Sequence, residues 1–257
     1  MPNDDVASRT AALEPALDPD GESMEEFLAD VESDEALRTV LEEVRGRMQL
    51  DPAHDLAHLL RVAHWTVRLA GDGVDRRLAI AAALLHDIVN IPKMSPERPR
   101  ASEHSAAFAR QLLPRLGFDH DEVELAAGAI RDHSFTRGAV PETRLGRALQ
   151  DADRLDALGV IGTFRSIAMG AHLGLAFVHP TDPWAAGRVL DDASYSVDHF
   201  FTKLLRLPET FQTDRGRLEA ARRAAVMRGL LAELGRELGA PAPWADRRDA
   251  GANRSST

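Results

Sequence analysis

Eight consecutive apolar residues, Leu78 to Leu85, run directly into a histidine and an aspartate, His86 and Asp87. Such a run offers no polar face to water and reads as a buried segment. Its end should then be buried too, and an ionised carboxylate there is costly unless a metal or charged partner compensates. Three further positions, on segments that read as helix, carry the same chemistry: His58 in HDLAHLLRV, His133 in AIRDHSF and Asp153 in QDADRLDALG. Neutral imidazole suits Mn, Fe, Co, Ni or Zn, and carboxylates add charge and admit Mg or Mn. Brought together from separate helices, these residues are what a hard or borderline divalent cation needs.

The rest of the chain sets bounds on that reading. Its 257 residues suffice for a real core, and 44% hydrophobic with only 5% aromatic content favours packed helices over sheet. A formal charge of −10 argues against a general binder of nucleic acid or membrane surfaces. It leaves room for a small anionic substrate held locally by arginine and metal. With no cysteine there is neither a disulfide framework nor a thiolate zinc site. No apolar run reaches membrane-spanning length, and the first twenty residues lack an apolar signal core, so the expected location is cytoplasmic.

Punctuation along the chain predicts one all-α domain, a helical bundle around a central metal site. Residues 1–22 and 240–257 read as disordered tails flanking a core over 23–239. Ser23 and Glu26 form a capping-box pattern, and Leu37, Val40, Leu41, Val44 and Met48 recur at helical spacing. Asp51-Pro52 reads as the start of the helix carrying His58, which ends at Gly71 and Gly73. The next helix is predicted over Arg76 to Val89, before a proline-rich loop to Arg100. Further helices are expected at about 102–116, 119–132, 144–158, 160–173, 190–206 and 214–238. Strand signals are scarce and no internal repeat is present.

His54 and His58 lie four residues apart and share a helix face, which places His54 for contact with substrate or with the ligands. Asp55 could orient His58 by accepting its other ring N–H, or serve the start of the helix. Arg61 and Arg154 each stand a turn or less from a candidate ligand, suited to a phosphate or to locking a carboxylate; Lys203 is a more distant candidate. His104, between Glu103 and Ser105, reads as a surface residue at a helix start.

In order, the motifs HDxxHxxRV (His54 to Val62), His86-Asp87 and DADRLDALG (Asp151 to Gly159) resemble the HD-domain metal-dependent phosphohydrolases. They are most similar to a small bacterial branch, and the likeness extends over roughly residues 34–237. The resemblance implies His58, His86, Asp87 and Asp153 as metal ligands. It favours Asp153 over Asp151 by the match of ADRL to the alarmone-hydrolase branch, leaving Asp151 and Asp156 for capping, arginine pairing or substrate contact. It also sets His133 near the active site as a phosphate or second-metal contact, and makes His54 and Asp55 the first candidates for moving a proton. The implied cofactor is Mn or Co, with Mg and Fe as further candidates. The implied substrate is a small phosphorylated molecule, with nucleotides as the first class to seek and cleavage of a nucleoside triphosphate between the α- and β-phosphates as one form. No nucleic-acid polymer or membrane partner is implied, and a homodimer is compatible. The glutamate that some branches carry three positions after the doublet is replaced by Asn90. Two rival readings keep the fold. One is a di-iron oxygenase cleaving a C–C or C–P bond, with His104 and His133 as the extra ligands. The other is a non-catalytic nucleotide-binding module.

Overall fold

The computed structural model describes residues 21–47, 55–89, 91, 95, 97–134 and 137–243. Ten α-helices and no named strand occur among them; a lone parallel bridge joins Ala176 and Tyr195. The chain divides into two compact units. The first comprises the described residues up to Asp156 together with Phe211–Glu219, and the second comprises Ala157–Thr210 with the described residues from Ala220. The expected tails lie almost wholly outside the described residues, as do His54, Asp51 and Pro52.

In the first unit, short acidic and hydroxylic side chains start the helices by accepting otherwise unpaired amide N–H groups. Ser23 and Glu26 form the expected capping box at the head of α1 (Met24–Ser33). Asp34 accepts from the amides of Ala36 and Leu37 at 2.9 Å each, opening α2 (Glu35–Arg47). Asp55 caps α3 (Leu56–Ala70), which corrects the expected start at Asp51: Asp55 is extended (φ −96°, ψ 170°), so the helix cannot run through it. Asp75 caps α4 (Arg76–Leu85). α5 (Ala101–Leu112) precedes α6 (His120–Asp132), whose capping box pairs Asp119 with Glu122, and α7 spans Arg144–Asp156.

Every residue from Leu78 to Leu85 is buried. α4 packs against α2, α3, α5, α6 and α7, which accounts for a helix with no polar face. It stops at Leu85 rather than at the expected Val89, so His86 and Asp87 sit in the turn that follows. α3 and α7 form the most extensive helix pair. They run antiparallel, because His58 meets Asp153 at one end while Ala70 meets Arg144 at the other.

The second unit holds α8 (Gly159–His172), the short α9 (Asp198–Thr202) and most of α10 (Asp214–Glu237). The helix expected over 190–206 is only five residues long and passes into a 3-10 segment, Leu204–Thr210. The fully buried Asp198 carboxylate explains the irregular chain before it. Asp198 takes both terminal nitrogens of Arg188 at 2.5 and 2.7 Å and the amide of Asp191 at 2.7 Å, an arrangement that needs a loop to wrap around it. Two glycines shape the turn into α8. Gly159 has φ +73°, and a Cβ at Gly162 would lie 2.2 Å from the carbonyl carbon and oxygen of Ala157. Gly162→Ala is therefore expected to lower stability by about 1–3 kcal/mol through forced backbone displacement, read as a drop in melting temperature. An unchanged melting curve would show that this turn is not packed as described.

Candidate metal centre

Four elements of the first unit bring the predicted ligands together. α3 supplies His58, the turn after α4 supplies His86 and Asp87, the end of α6 supplies His133, and α7 supplies Asp153. Two overlapping donor groups result: His58, His86 and Asp153, and His86, Asp87 and His133, with the donor atoms of each group within 4.8 Å of one another. His86 is common to both.

Each of the three imidazoles turns Nε2 toward the centre because Nδ1 is engaged elsewhere. His86 Nδ1 donates to the carbonyl of Ala83 at 2.7 Å, and His133 Nδ1 to that of Ile130 at 2.6 Å. His58 Nδ1 lies 2.7 Å from Asp156 Oδ2. A carboxylate can only accept, so Nδ1 carries the proton there too, and Nε2 is left as an electron-pair donor in all three rings. His58 Nε2 is 3.6 Å from Asp153 Oδ1; His86 Nε2 is 3.6 Å from Asp87 Oδ2 and 3.8 Å from Asp153 Oδ1; His133 Nε2 is 3.5 Å from Asp87 Oδ1. Two donors that share one ion at about 2.1 Å each stand ~3 to 4 Å apart, the spacing found here. His86 is fully buried, and its Nε2 makes no hydrogen bond among the described residues. A buried nitrogen of that kind is normally satisfied, and a cation among these donors satisfies it. The residues fit a divalent metal.

A model of the HD domain matches residues 55–158. Among curated proteins the chain is 28% identical over 190 residues to the uncharacterized protein YpgQ of Bacillus subtilis, covering 72% of this chain and 84% of that protein. The crystal structure of YpgQ matches with a TM-score of 0.63 at 26% identity, over 80% of this chain and 97% of that one. A predicted HD superfamily hydrolase from an uncultured Thermotogales bacterium matches at 30% identity and a TM-score of 0.54, covering 78% of this chain and 92% of that one. An HD-superfamily hydrolase from Bacillus thuringiensis matches at 26% identity and a TM-score of 0.59, covering 83% of this chain and 99% of that one.

This chain belongs to the HD-domain family. The doublet His86-Asp87 occupies the turn after the buried helix of the HD domain, and the likeness to HD-superfamily hydrolases supports a hydrolase of that type.

The geometry also redistributes roles around the ligands. Asp55 spends Oδ1 on the amide of His58 at 2.8 Å, so it is the helix cap and not the group that orients the imidazole. Asp156 does that instead, and it is itself gripped by Arg61 through Nε at 2.6 Å and Nη2 at 2.9 Å. Arg61, expected either to face a phosphate or to lock a carboxylate, has its fork committed to the carboxylate. Arg154 is buried on α7; burial pushes its pKa down, against the opposing charges of Asp151 and Asp153. Asp151 accepts from the amides of Gln212 and Thr213 and from the Thr213 hydroxyl, at 2.7–3.1 Å, and holds that segment in place. Lys203 lies in the second unit at the end of α9, half-buried. His104 is exposed on α5, as expected, and belongs to neither donor group. Gln150 was not singled out by the sequence. It is buried and donates to the carbonyls of Asp132 and Ala139, both at 2.9 Å, bracketing the turn that carries His133.

Burial drives the His86 pKa down to about 4, with Asp87 opposing and His133 assisting. For His133 burial also opposes the charged form, but the hydrogen bond and charge of Asp87 outweigh it and the pKa is raised. For Asp153 burial is outweighed by the three histidines, and its pKa is lowered. In chelated protein His86 should therefore stay neutral down to about pH 4, while His133 protonates above the ordinary histidine value. Histidine proton NMR reads both midpoints, and the reverse order would contradict the described contacts. Asp156→Asn should weaken metal affinity by about 10–100-fold, because with Arg61 holding the remaining oxygen the amide NH2 faces His58 Nδ1 and favours the wrong tautomer. Metal content after dialysis against graded chelator measures this; parent-like retention would show that Asp156 does not position His58.

Proposed function

We propose that this chain is a metal-dependent phosphohydrolase acting on a small phosphorylated molecule, with a nucleotide as the first candidate. The observation that carries this reading is the convergence of three Nε2 atoms and two carboxylates from four elements, with each Nδ1 proton committed outside the centre. His58, His86, Asp87 and Asp153 are the residues to hold the ion, with His133 beside them. When bound, a divalent ion there supplies a Lewis acid for a phosphoryl oxygen and lowers the pKa of water at neutral pH.

The protein's own part is positioning and charge. Asp156 and the carbonyls of Ala83 and Ile130 hold the rings in one tautomer. Asp87 and Asp153 keep side-chain exposures of 24% and 27%, against 0–5% for the three histidines, so the accessible side of the centre is the carboxylate side. His133, with Nε2 3.5 Å from Asp87 Oδ1, is suited to contacting a phosphate oxygen beside the ion. YpgQ has been crystallised in complex with ADP; that structure matches this chain at 25% identity and a TM-score of 0.59, which supports a nucleotide as substrate class. Release of pyrophosphate from a nucleoside triphosphate rests on the motif resemblance. Mn and Co suit a mixed imidazole and carboxylate set, and Mg remains a candidate. The exposed position of His104 weighs against the di-iron reading.

Chelator-stripped protein, reloaded with Mn, Co or Mg and offered a nucleotide panel, should release phosphate or pyrophosphate. His86→Ala and Asp87→Ala should each lower turnover by about a thousandfold or more while helical circular dichroism persists. Undiminished turnover in excess chelator, or in either variant, would sink the proposal.

A further inference from the structure

We propose that the first unit carries a second anion site, away from the metal centre, that binds a small molecule bearing several phosphate groups. The site is a cleft of about 710 Å3 where the C-terminal end of α3 meets the N-terminal ends of α7 and α10. Five arginines line it: Arg68, Arg144, Arg147, Arg215 and Arg217. In a chain of net charge −10, that gathering calls for a cause.

Arg217 is held by Asp214 at 2.5 Å. The other four reach no carboxylate among the described residues. Arg144 Nη1 donates to the Ala70 carbonyl at 3.5 Å, Arg215 Nη1 to that of Arg68 at 3.3 Å, and Arg147 Nε to that of Pro141 at 3.2 Å. Arg68 lies over the Trp65 ring at 5.1 Å. Elsewhere in the unit Arg61, Arg76, Arg77, Arg110, Arg131 and Arg137 each pair with an acidic side chain. Capping the end of α3 does not account for the difference. A helix C-terminus carries only about half a negative charge, and the carbonyl bonds occupy one N–H each of Arg144, Arg147 and Arg215. Asp72 and Glu142 also line the cleft but make no ion pair with these arginines.

The fold makes room for one of these side chains. A Cβ at Gly73 would lie 2.0 Å from Arg144 Nη1, so glycine is what lets that guanidinium lie across the end of α3. No aromatic ring is among the lining residues, so the cleft has no platform for stacking a base and selects by charge. Guanidinium forks match phosphate oxygens in pairs. The volume lies in the ~300–1,000 Å3 range of small-molecule sites, well beyond one phosphate. An oligophosphate, or a compact molecule carrying several phosphates, meets those terms.

The cleft is distinct from the metal centre. Arg68 stands ten residues beyond His58 on α3 and Arg144 nine before Asp153 on α7, about 15 and about 13.5 Å of helix rise. Anion binding there does not depend on whether the metal centre hydrolyses nucleotides. Gln212 and Thr213, which line the cleft, are fastened to Asp151, two residues from Asp153.

Calorimetric titration of the full chain with inorganic tripolyphosphate in excess chelator tests this, since the metal centre is then stripped. The parent should bind, more weakly as salt rises. His86→Ala should bind equally well, and Arg147→Gln combined with Arg215→Gln should weaken binding about tenfold or more while retaining the parent's metal content and melting temperature. Glu142→Gln, which removes an opposing charge, should strengthen it. Absence of binding by the parent, its loss in His86→Ala, parent-like affinity in the double arginine variant, or no gain in Glu142→Gln would each overturn the proposal.

Discussion

His86 sits at the end of a helix buried on every side, and it brings into that interior a ring nitrogen for which the described protein offers no hydrogen bond. Leaving such a group unsatisfied costs on the order of 1–3 kcal/mol, and the surrounding architecture deals with it on both sides of the ring. The Ala83 carbonyl takes the Nδ1 proton one turn back in the same helix, which fixes the lone pair on Nε2 and aims it away from the helix axis. His133 repeats the device with the carbonyl of Ile130, three residues earlier in its own helix. Both histidines lie just past the last turn of a helix, where carbonyls lack intrahelical donors. The helix ends are thus satisfied by the imidazoles, and the imidazoles are oriented by the helix ends.

His58 cannot use that device, because it lies in the first turn of α3, where carbonyls are already taken by amides further along. Its Nδ1 partner has to come from another helix, and α7 provides it in Asp156. A carboxylate with only 3% side-chain exposure is itself expensive unless paired, and the Arg61 fork pairs it. Arg61 stands three residues after His58 on the same face of α3, so one face of one helix carries both the ligand and the counter-charge for the group that orients it. The extensive α3–α7 contact serves this arrangement, since a small slide between the two helices would separate His58 from Asp153 and Asp156 together.

Much of this was legible in the sequence. The apolar run into His86-Asp87 marked a buried terminus, and the capping-box pattern at Ser23 marked a helix start that is found in place. For the start of α3 the sequence points to Asp51-Pro52, as good a helix opening as the chain offers, whereas Asp55 reveals itself only through its extended backbone. Ile88 and Val89 continue the apolar pattern past the end of α4, although the chain has already turned to present the doublet. The helix expected at 190–206 shrank because Asp198 binds its surroundings through contacts with Arg188 and Asp191 that no periodicity records. Gln150 escaped notice for the same reason: its importance lies in two backbone carbonyls that the fold delivers.

The three aspartates of α7 show where sequence could have gone further. At about 100° per residue, Asp153 and Asp156 lie some 60° apart around the helix, while Asp151 lies roughly 140–160° from both. Two of the three therefore share a face and can serve one neighbour, and the third must look elsewhere. That division is found: Asp153 and Asp156 both face His58, at 3.6 and 2.7 Å, whereas Asp151 turns to the amides of Gln212 and Thr213. The close approach on that side requires Gly216, where a Cβ would lie 2.7 Å from Asp151 Oδ2. Helical angle alone thus distinguishes the aspartate that fastens a segment from the two that build the centre. It also shows how Asp151 and Asp156 can both be buried: Asp156 is met by Arg61 and His58 Nδ1, Asp151 by Gln212 and Thr213, and the partly exposed Asp153 is left for the metal centre.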